Sequence, residues 1–236
     1  DIVLGNALVD MYAKCRVLTK ARKVLEELVN RNVASWNSLI AGYAQEGRGQ
    51  EALNCFDEMQ SECLTPDEVT FLCVLSACSH SGLHNEAEML FQSMTEKFGI
   101  MPKLEHQGCM VMVFAFAGLF NKAMSVIEVM PSFDFIEVWL ALLGACRKWG
   151  NVKLARLAFE RAVHVDRSCA APYVLMATIY IAAGMRKDAQ KVEAMKLKCV
   201  SFRKKQGNSI LFDADASKNV KIMSACININ AQSFKS

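Results

Sequence analysis

Small, apolar and aromatic positions recur along this chain in fixed register. An alanine followed by apolar residues at +4 and +7 appears at Ala21, Ala52, Ala87, Ala123, Ala155 and Ala189. The +4 column reads Leu25, Phe56, Phe91, Ile127, Phe159 and Glu193, and the +7 column reads Leu28, Met59, Met94, Met130, Ala162 and Lys196. Offsets of 0, +4 and +7 share one face of an α-helix, so each window predicts a buried helical stripe. Five positions before each alanine stand Arg16, Gly47, Gly82, Gly118, Gly150 and Gly184. A glycine there predicts a left-handed residue ending the preceding helix. Sixteen positions before, an aromatic recurs as Trp36, Phe71, Trp139 and Tyr173, with Gly5 and Gln107 as exceptions, and marks the start of a first helix.

The unit is therefore helix, short turn, helix, each helix expected to run about 12–14 residues. The alanines are spaced 31, 35, 36, 32 and 34 residues apart. One such hairpin cannot bury its apolar face alone, and stacking supplies the core. The expected fold is all-α, a right-handed α-solenoid of stacked helix-turn-helix repeats.

Composition adds limits. Apolar residues make up 53% of the 236 positions, enough for a continuous core and too many for disorder. The net charge of +3 hides an asymmetry. Residues 1–100 hold 8 Lys/Arg against 14 Asp/Glu, whereas residues 151–236 hold 15 against 6. The basic end could meet phosphates, a membrane surface or an acidic partner. Ten cysteines lie scattered without a Cys-x-x-Cys pair, so they are expected to be small buried apolar residues in a reducing compartment. The longest apolar run, Gly108 to Phe120, is 13 residues, short of the roughly 20 that cross a bilayer, so membrane insertion is not expected. The chain opens Asp1-Ile2-Val3 without initiator Met or basic leader, and any targeting segment is expected to lie outside it.

Specific words narrow the family. Periods near 34 fit tetratricopeptide repeats, but the drift through 31, 35, 36 and 32 is similar to the plant pentatricopeptide repeat family, whose short, standard and long repeats alternate. Asn6-Ala7-Leu8-Val9-Asp10-Met11-Tyr12 resembles the opening of a short repeat. Asn32-Val33-Ala34-Ser35-Trp36-Asn37, closing at Thr65-Pro66-Asp67, resembles a standard one. Val69-Thr70-Phe71-Leu72 with Leu75-Ser76-Ala77-Cys78 resembles the long type, and Leu104-Glu105-His106 with Met130-Pro131 the final short one. Trp139 with Leu142-Leu143-Gly144-Ala145-Cys146-Arg147, and Ala171-Pro172-Tyr173 with Ile179-Tyr180, resemble the two C-terminal extension motifs of such arrays. On this resemblance residues 1–135 form four pentatricopeptide repeats (1–32, 33–67, 68–103 and 104–135). Residues 136–205 form two tetratricopeptide-like extension repeats, and 206–236 a divergent, poorly ordered tail.

The resemblance implies a function. Each repeat of the family reads one RNA base through two side chains. The first readers here are Asn6, Asn37, Leu72 and Gly108, and the last residues of the repeats are Asn32, Asp67, Lys103 and Phe135. Asn37 with Asp67 resembles the uracil-reading pair, and Asn6 with Asn32 a pyrimidine reader that prefers cytosine. Val3, Ala34 and Val69 hold the position that flanks the bases, where an apolar side chain stacks. Each Asn could instead be a helix-start residue that caps or binds water. Leu72, Gly108, Lys103 and Phe135 give no legible readout.

Arrays with these extensions are similar to plant organelle C-to-U editing factors. A zinc deaminase needs His-x-Glu together with Cys-x-x-Cys, and no Cys-x-x-Cys exists. The sequence shows no nucleophile elbow, phosphate loop or dinucleotide fingerprint either, and His80 with His84 lacks a third ligand nearby. The expectation is a non-enzymatic adaptor without metal or cofactor. It would bind single-stranded organelle RNA in a mitochondrion or chloroplast, with any deaminase or editing-complex protein supplied separately. Lys196, Lys198, Arg203, Lys204 and Lys205 are the candidate phosphate or partner contacts, and Phe116 and Phe120 a candidate exposed partner surface. The alternative is a protein-interaction scaffold of tetratricopeptide type, above all over residues 136–205.

Overall fold

A computed structural model describes residues 2–130 and 135–205, with side chains described as far as 197. Among the described residues there are twelve helices and no strand. They pair as α1 (Ile2–Lys14) and α2 (Leu18–Glu27), α3 (Val33–Gln45) and α4 (Gly49–Ser61), α5 (Glu68–Ser81) and α6 (His84–Glu96). Then follow α7 (Leu104–Phe116) and α8 (Phe120–Val129), α9 (Ile136–Trp149) and α10 (Val152–Val165), α11 (Ala171–Ala182) and α12 (Arg186–Lys205). The chain divides into two compact units, 1–113 and 114–236.

One turn joins the helices of every pair. One or two residues after each first helix the backbone is left-handed, at Arg16, Gly47, Gly82, Gly118, Gly150 and Gly184, with φ between 61° and 78°. The next N–H reaches back over five residues to a carbonyl, as in Val17 to Tyr12 at 2.9 Å, Leu83 to Cys78 at 3.1 Å and Met185 to Tyr180 at 2.8 Å. These bonds satisfy carbonyls the helix end would otherwise leave bare. Glycine adopts this backbone at no steric cost; Arg16 does so with a Cβ, and its guanidinium pairs with Glu46 at 3.2 Å.

In unit 1, α1 packs on α3 and α3 on α5. The contact is tight: a Cβ on Gly42 would stand 2.7 Å from Leu18 Cδ2 and 2.9 Å from Ala13 Cβ. Ala21, Ala52 and Ala87 are fully buried, as their column requires. Phe71 anchors the layer between Phe56 at 5.7 Å and Phe98 at 5.4 Å, both edge-on. The missing aromatic at Gly5 has a cause, since the Leu28 side chain fills the space a side chain there would occupy. Leu28 is extended (φ −72°, ψ 125°) and ends α2 after ten residues, below the expected length. Met130 does the same to α8.

In unit 2, α9 pairs with α10, α11 packs on both, and α12 on α11. Phe159 meets Tyr173 edge-on at 5.4 Å. Phe116 and Phe120 are half-buried, so the expected exposed aromatic surface is not formed. Gly144 is the reason at Phe116, whose ring lies 3.8 Å from where a Cβ on that glycine would stand. Trp149 folds over Gly118 and donates from Nε1 to the Phe116 carbonyl at 3.3 Å. The cysteine expectation holds for Cys55, Cys73, Cys78, Cys109 and Cys146, which are buried, but Cys15 and Cys63 are exposed. Both lie at the ends of amphipathic helices, where a small residue faces water; Cys63 is left-handed at φ 61°. No described helix is long and apolar enough to cross a membrane.

Candidate nucleic-acid interface

Two junctions between hairpins share one geometry. Asn32 and Asp67 precede α3 and α5 in extended conformation and cap them. Asn32 Oδ1 accepts the Ser35 N–H at 3.0 Å, and Asp67 Oδ1 accepts the Thr70 N–H at 2.8 Å. The Ser35 and Thr70 hydroxyls return the bond to the cap N–H, at 2.9 and 3.1 Å. These are capping boxes built with hydroxyl residues.

The same cap oxygen takes a further bond from the preceding hairpin. Asn6 Nδ2 donates to Asn32 Oδ1 at 3.2 Å, and Asn37 Nδ2 donates to Asp67 Oδ1 at 3.1 Å. The cap fixes which way each amide points: an oxygen already receiving an N–H can only be offered an NH2. The carbonyl oxygens of Asn6 and Asn37 are therefore turned away. Both are buried from water and have no hydrogen-bond partner. Asn37 is 8% exposed, Asp67 exposed and Asn32 half-buried. Among the described residues no hydrogen bond reaches Asp67 Oδ2 or leaves Asn32 Nδ2. One junction thus offers an extra acceptor and the other an extra donor. Beside them Val3 is 72% exposed, Val69 44%, and Ala34 is also exposed.

The next two junctions differ. Leu72 and Gly108 are buried, Lys103 is exposed and Phe135 half-buried. Lys103 cannot cap with its side chain; His106 stands where Ser35 and Thr70 stand, its Nδ1 accepting the Lys103 N–H at 3.1 Å. With Nδ1 as acceptor the proton sits on Nε2, which donates to the Glu68 carbonyl at 2.8 Å. The Lys103 ammonium pairs with the Glu68 carboxylate. No side chain caps α9 at Phe135.

The structure brings Asn6 to Asn32 and Asn37 to Asp67, the residues the sequence had grouped, and adds the Ser35, Thr70 and His106 column, which sequence reasoning missed. The signal was Asn-x-x-Ser and Asp-x-x-Thr at two helix starts. Lys196 is half-buried on α12, whereas the side chains of Lys198, Arg203, Lys204 and Lys205 and the whole of 206–236 lie outside the described residues. His84-Asn85-Glu86 has the His-x-Glu spacing, but no group of three or more metal-binding side chains forms among the described residues.

Comparison with known proteins bears on this frame. Residues 31–80 match the PPR repeat family, and residues 6–33 and 69–97 match the PPR repeat. A mitochondrial pentatricopeptide repeat-containing protein of Arabidopsis thaliana is 39% identical over 211 residues, covering 89% of this chain and 32% of its own length. A second mitochondrial one from that plant is 39% identical over 202 residues, covering 85% of this chain and 43% of its own length. The chain thus spans about a third to under half of these two relatives. Among solved structures, the pentatricopeptide repeat protein PPR10 in complex with an 18-nt psaJ RNA element gives a TM-score of 0.69 at 19% identity, over 84% of this chain and 30% of that one. PPR10 from maize gives 0.62 at 21%, over 82% and 29%. The shared architecture is an all-α fold of stacked helical repeats. With its hairpin register, its matched repeats and these plant relatives taken together, the chain belongs to the pentatricopeptide repeat family.

Proposed function

We propose that this chain is a single-stranded-RNA-binding array segment whose first two repeats each read a pyrimidine. The observation that carries this reading is the repeated Asn-to-cap bond, which leaves an orphaned amide oxygen at both junctions. An acceptor without a partner is costly when buried and is satisfied by a donor on a base edge. The RNA-free amide oxygen is closed to water, so reading includes a small outward turn of Asn6 or Asn37. Asp67 adds only acceptors and suits the N3–H donor of uracil. Asn32 adds an NH2 donor and suits the N3 and O2 acceptors of cytosine. Val3, Ala34 and Val69 supply the apolar surface against which the bases lie.

Relatives named as mitochondrial, and PPR10 crystallised with RNA, support organelle RNA as the ligand class. The finer reading is a standard-, long- and short-repeat array with two extension motifs, acting as an adaptor for C-to-U editing with the deaminase on a partner. Two base contacts worth roughly 1–3 kcal/mol each cannot select one transcript, so a longer array completes the recognition. The α9–α12 region supports the second reading, protein interaction, because neither Phe135 nor Ala170 caps its helix with a side chain and, among the described residues, no Asn-to-cap bond joins its hairpins. Lys153, Arg156, Leu157, Glu160 and Arg161 instead expose a mixed, mainly basic face on α10.

The test is a binding titration against oligoribonucleotides that differ at two adjacent positions. Preference for a pyrimidine pair, lost in Asn37→Ala and Asn6→Ala, is the expected result. Equal affinity for purine and pyrimidine oligonucleotides would end the base-reading proposal.

A further inference from the structure

The third junction keeps a charged side chain in the register of Asn32 and Asp67. Lys103 is the backbone cap of α7, accepting the Gln107 N–H at 3.1 Å as Asp67 accepts that of Phe71 at 3.1 Å. The His106 ring repeats only the Ser35 and Thr70 half of the box, and lysine has no acceptor to offer the first turn of α7, so its arm is not held in a cap as Asn32 and Asp67 are. It runs back to Glu68, the first residue of α5. Glu68 lies in the chain directly between Asp67, the cap of the second junction, and the exposed Val69. The ion pair therefore holds the Lys103 ammonium at the first residue of α5, next in the chain to Asp67. Glu68, by its hydrogen bond and charge, and then Glu105 hold the Lys103 ammonium above its ordinary range. Glu68 and Glu105 thus bring two carboxylates to bear on one cation, with Asp67 next in the chain to the first, where a phosphodiester chain would otherwise meet negative charge.

We infer that Lys103 neutralises Glu68 and contacts the RNA phosphate beside the pyrimidine held at Asn37 and Asp67. This rests on the base-reading proposal. Lysine suits the task as a compact cation on a flexible stem that can swing from a carboxylate to a phosphate. Leu72, buried and apolar in the reader position, offers a base edge no hydrogen bond. The third repeat thus grips backbone where the first two read bases.

The experiment is fluorescence anisotropy on the whole chain, with pyrimidine-pair and purine-substituted oligoribonucleotides over a low-salt series. K103Q weakens binding to all sequences alike, about threefold to tenfold, and lowers the slope of log affinity against log salt by about 0.7. E68Q, which keeps the lysine and removes its competitor, tightens binding. A single methylphosphonate linkage beside the read pyrimidine removes the K103Q effect. If K103Q and E68Q both bind like the parent chain while N37A still loses pyrimidine preference, the inference is wrong and base reading stands. If no oligonucleotide binds, or none is preferred, both fall. Should K103Q fail to fold by circular dichroism, the E68Q and methylphosphonate arms decide alone: tighter E68Q binding supports the contact, and insensitivity to both overturns it.

Discussion

One oxygen, Asp67 Oδ1, receives the Thr70 N–H, the Thr70 hydroxyl and the Asn37 amide. Removing it in Asp67→Ala is expected to cost about 1 kcal/mol through the lost cap, read by denaturant unfolding, and to abolish uracil preference. Asp67→Asn keeps the cap, leaves stability within a few tenths of a kcal/mol, and turns the second junction into a copy of the first. Binding titrations should then show its preference moving from uracil to cytosine. The pairing was legible in sequence because Asn6, Asn37, Asn32 and Asp67 recur in columns; which amide atom faces which neighbour was not, since that follows from the capping hydroxyls in space. Cysteines behave in the same way. Burial pushes the Cys55 thiol up from 9.0 to about 11, and those of Cys78 and Cys146 to about 12. Such thiols hold their protons when folded and release them when unfolded, so stability is intact below pH 9 and falls as pH climbs from there toward 11–12. Mass-spectrometric mapping after iodoacetamide at pH 8 should find Cys15 and Cys63 alkylated in the native chain, and Cys55, Cys78 and Cys146 only after unfolding.

At the scale of helices, the first four repeat spacings follow the length of the second helix, whereas the fifth, 34, does not, with 14 residues in α10. Where the alanine spacing is 31 or 32, the intervening second helix has ten residues; where it is 35 or 36, it has thirteen. The period was readable, but helix ends were not, because α2 stops where Leu28 leaves the helix to fill the space over Gly5. Helix-joining turns were readable even at Arg16, whose column demanded a left-handed residue. That demand makes Arg16→Gly stabilising by about 1 kcal/mol in thermal or denaturant unfolding. The exposed pair with Glu46 that it forfeits is worth little. Gly42→Val works in the opposite direction. Its side chain would collide with Leu18 and with Ala13, including the Ala13 backbone, and should cost about 1–3 kcal/mol with α1 separating from α3.

On the scale of the whole chain, charge and recognition are unevenly shared. The two legible junctions sit in the acidic first hundred residues, where cations are largely paired, as in Arg22 with Glu26 and Glu58 and Arg31 with Glu62. Counterion release there is weak. The chain by itself should therefore bind RNA above micromolar dissociation constants in filter-binding titrations at physiological salt, and a submicromolar, sequence-specific value would contradict this. The Asn6–Asn32 and Asn37–Asp67 columns could be read from sequence; Lys103 leaning on Glu68 could not, because that contact crosses 35 residues of chain. The doubled duty of the cap oxygens also restricts how such a chain can be retargeted. On the base-reading proposal, the recognition alphabet at positions 32 and 67 is limited to side chains that can also begin a helix, so a lysine or a leucine there would trade folding for specificity.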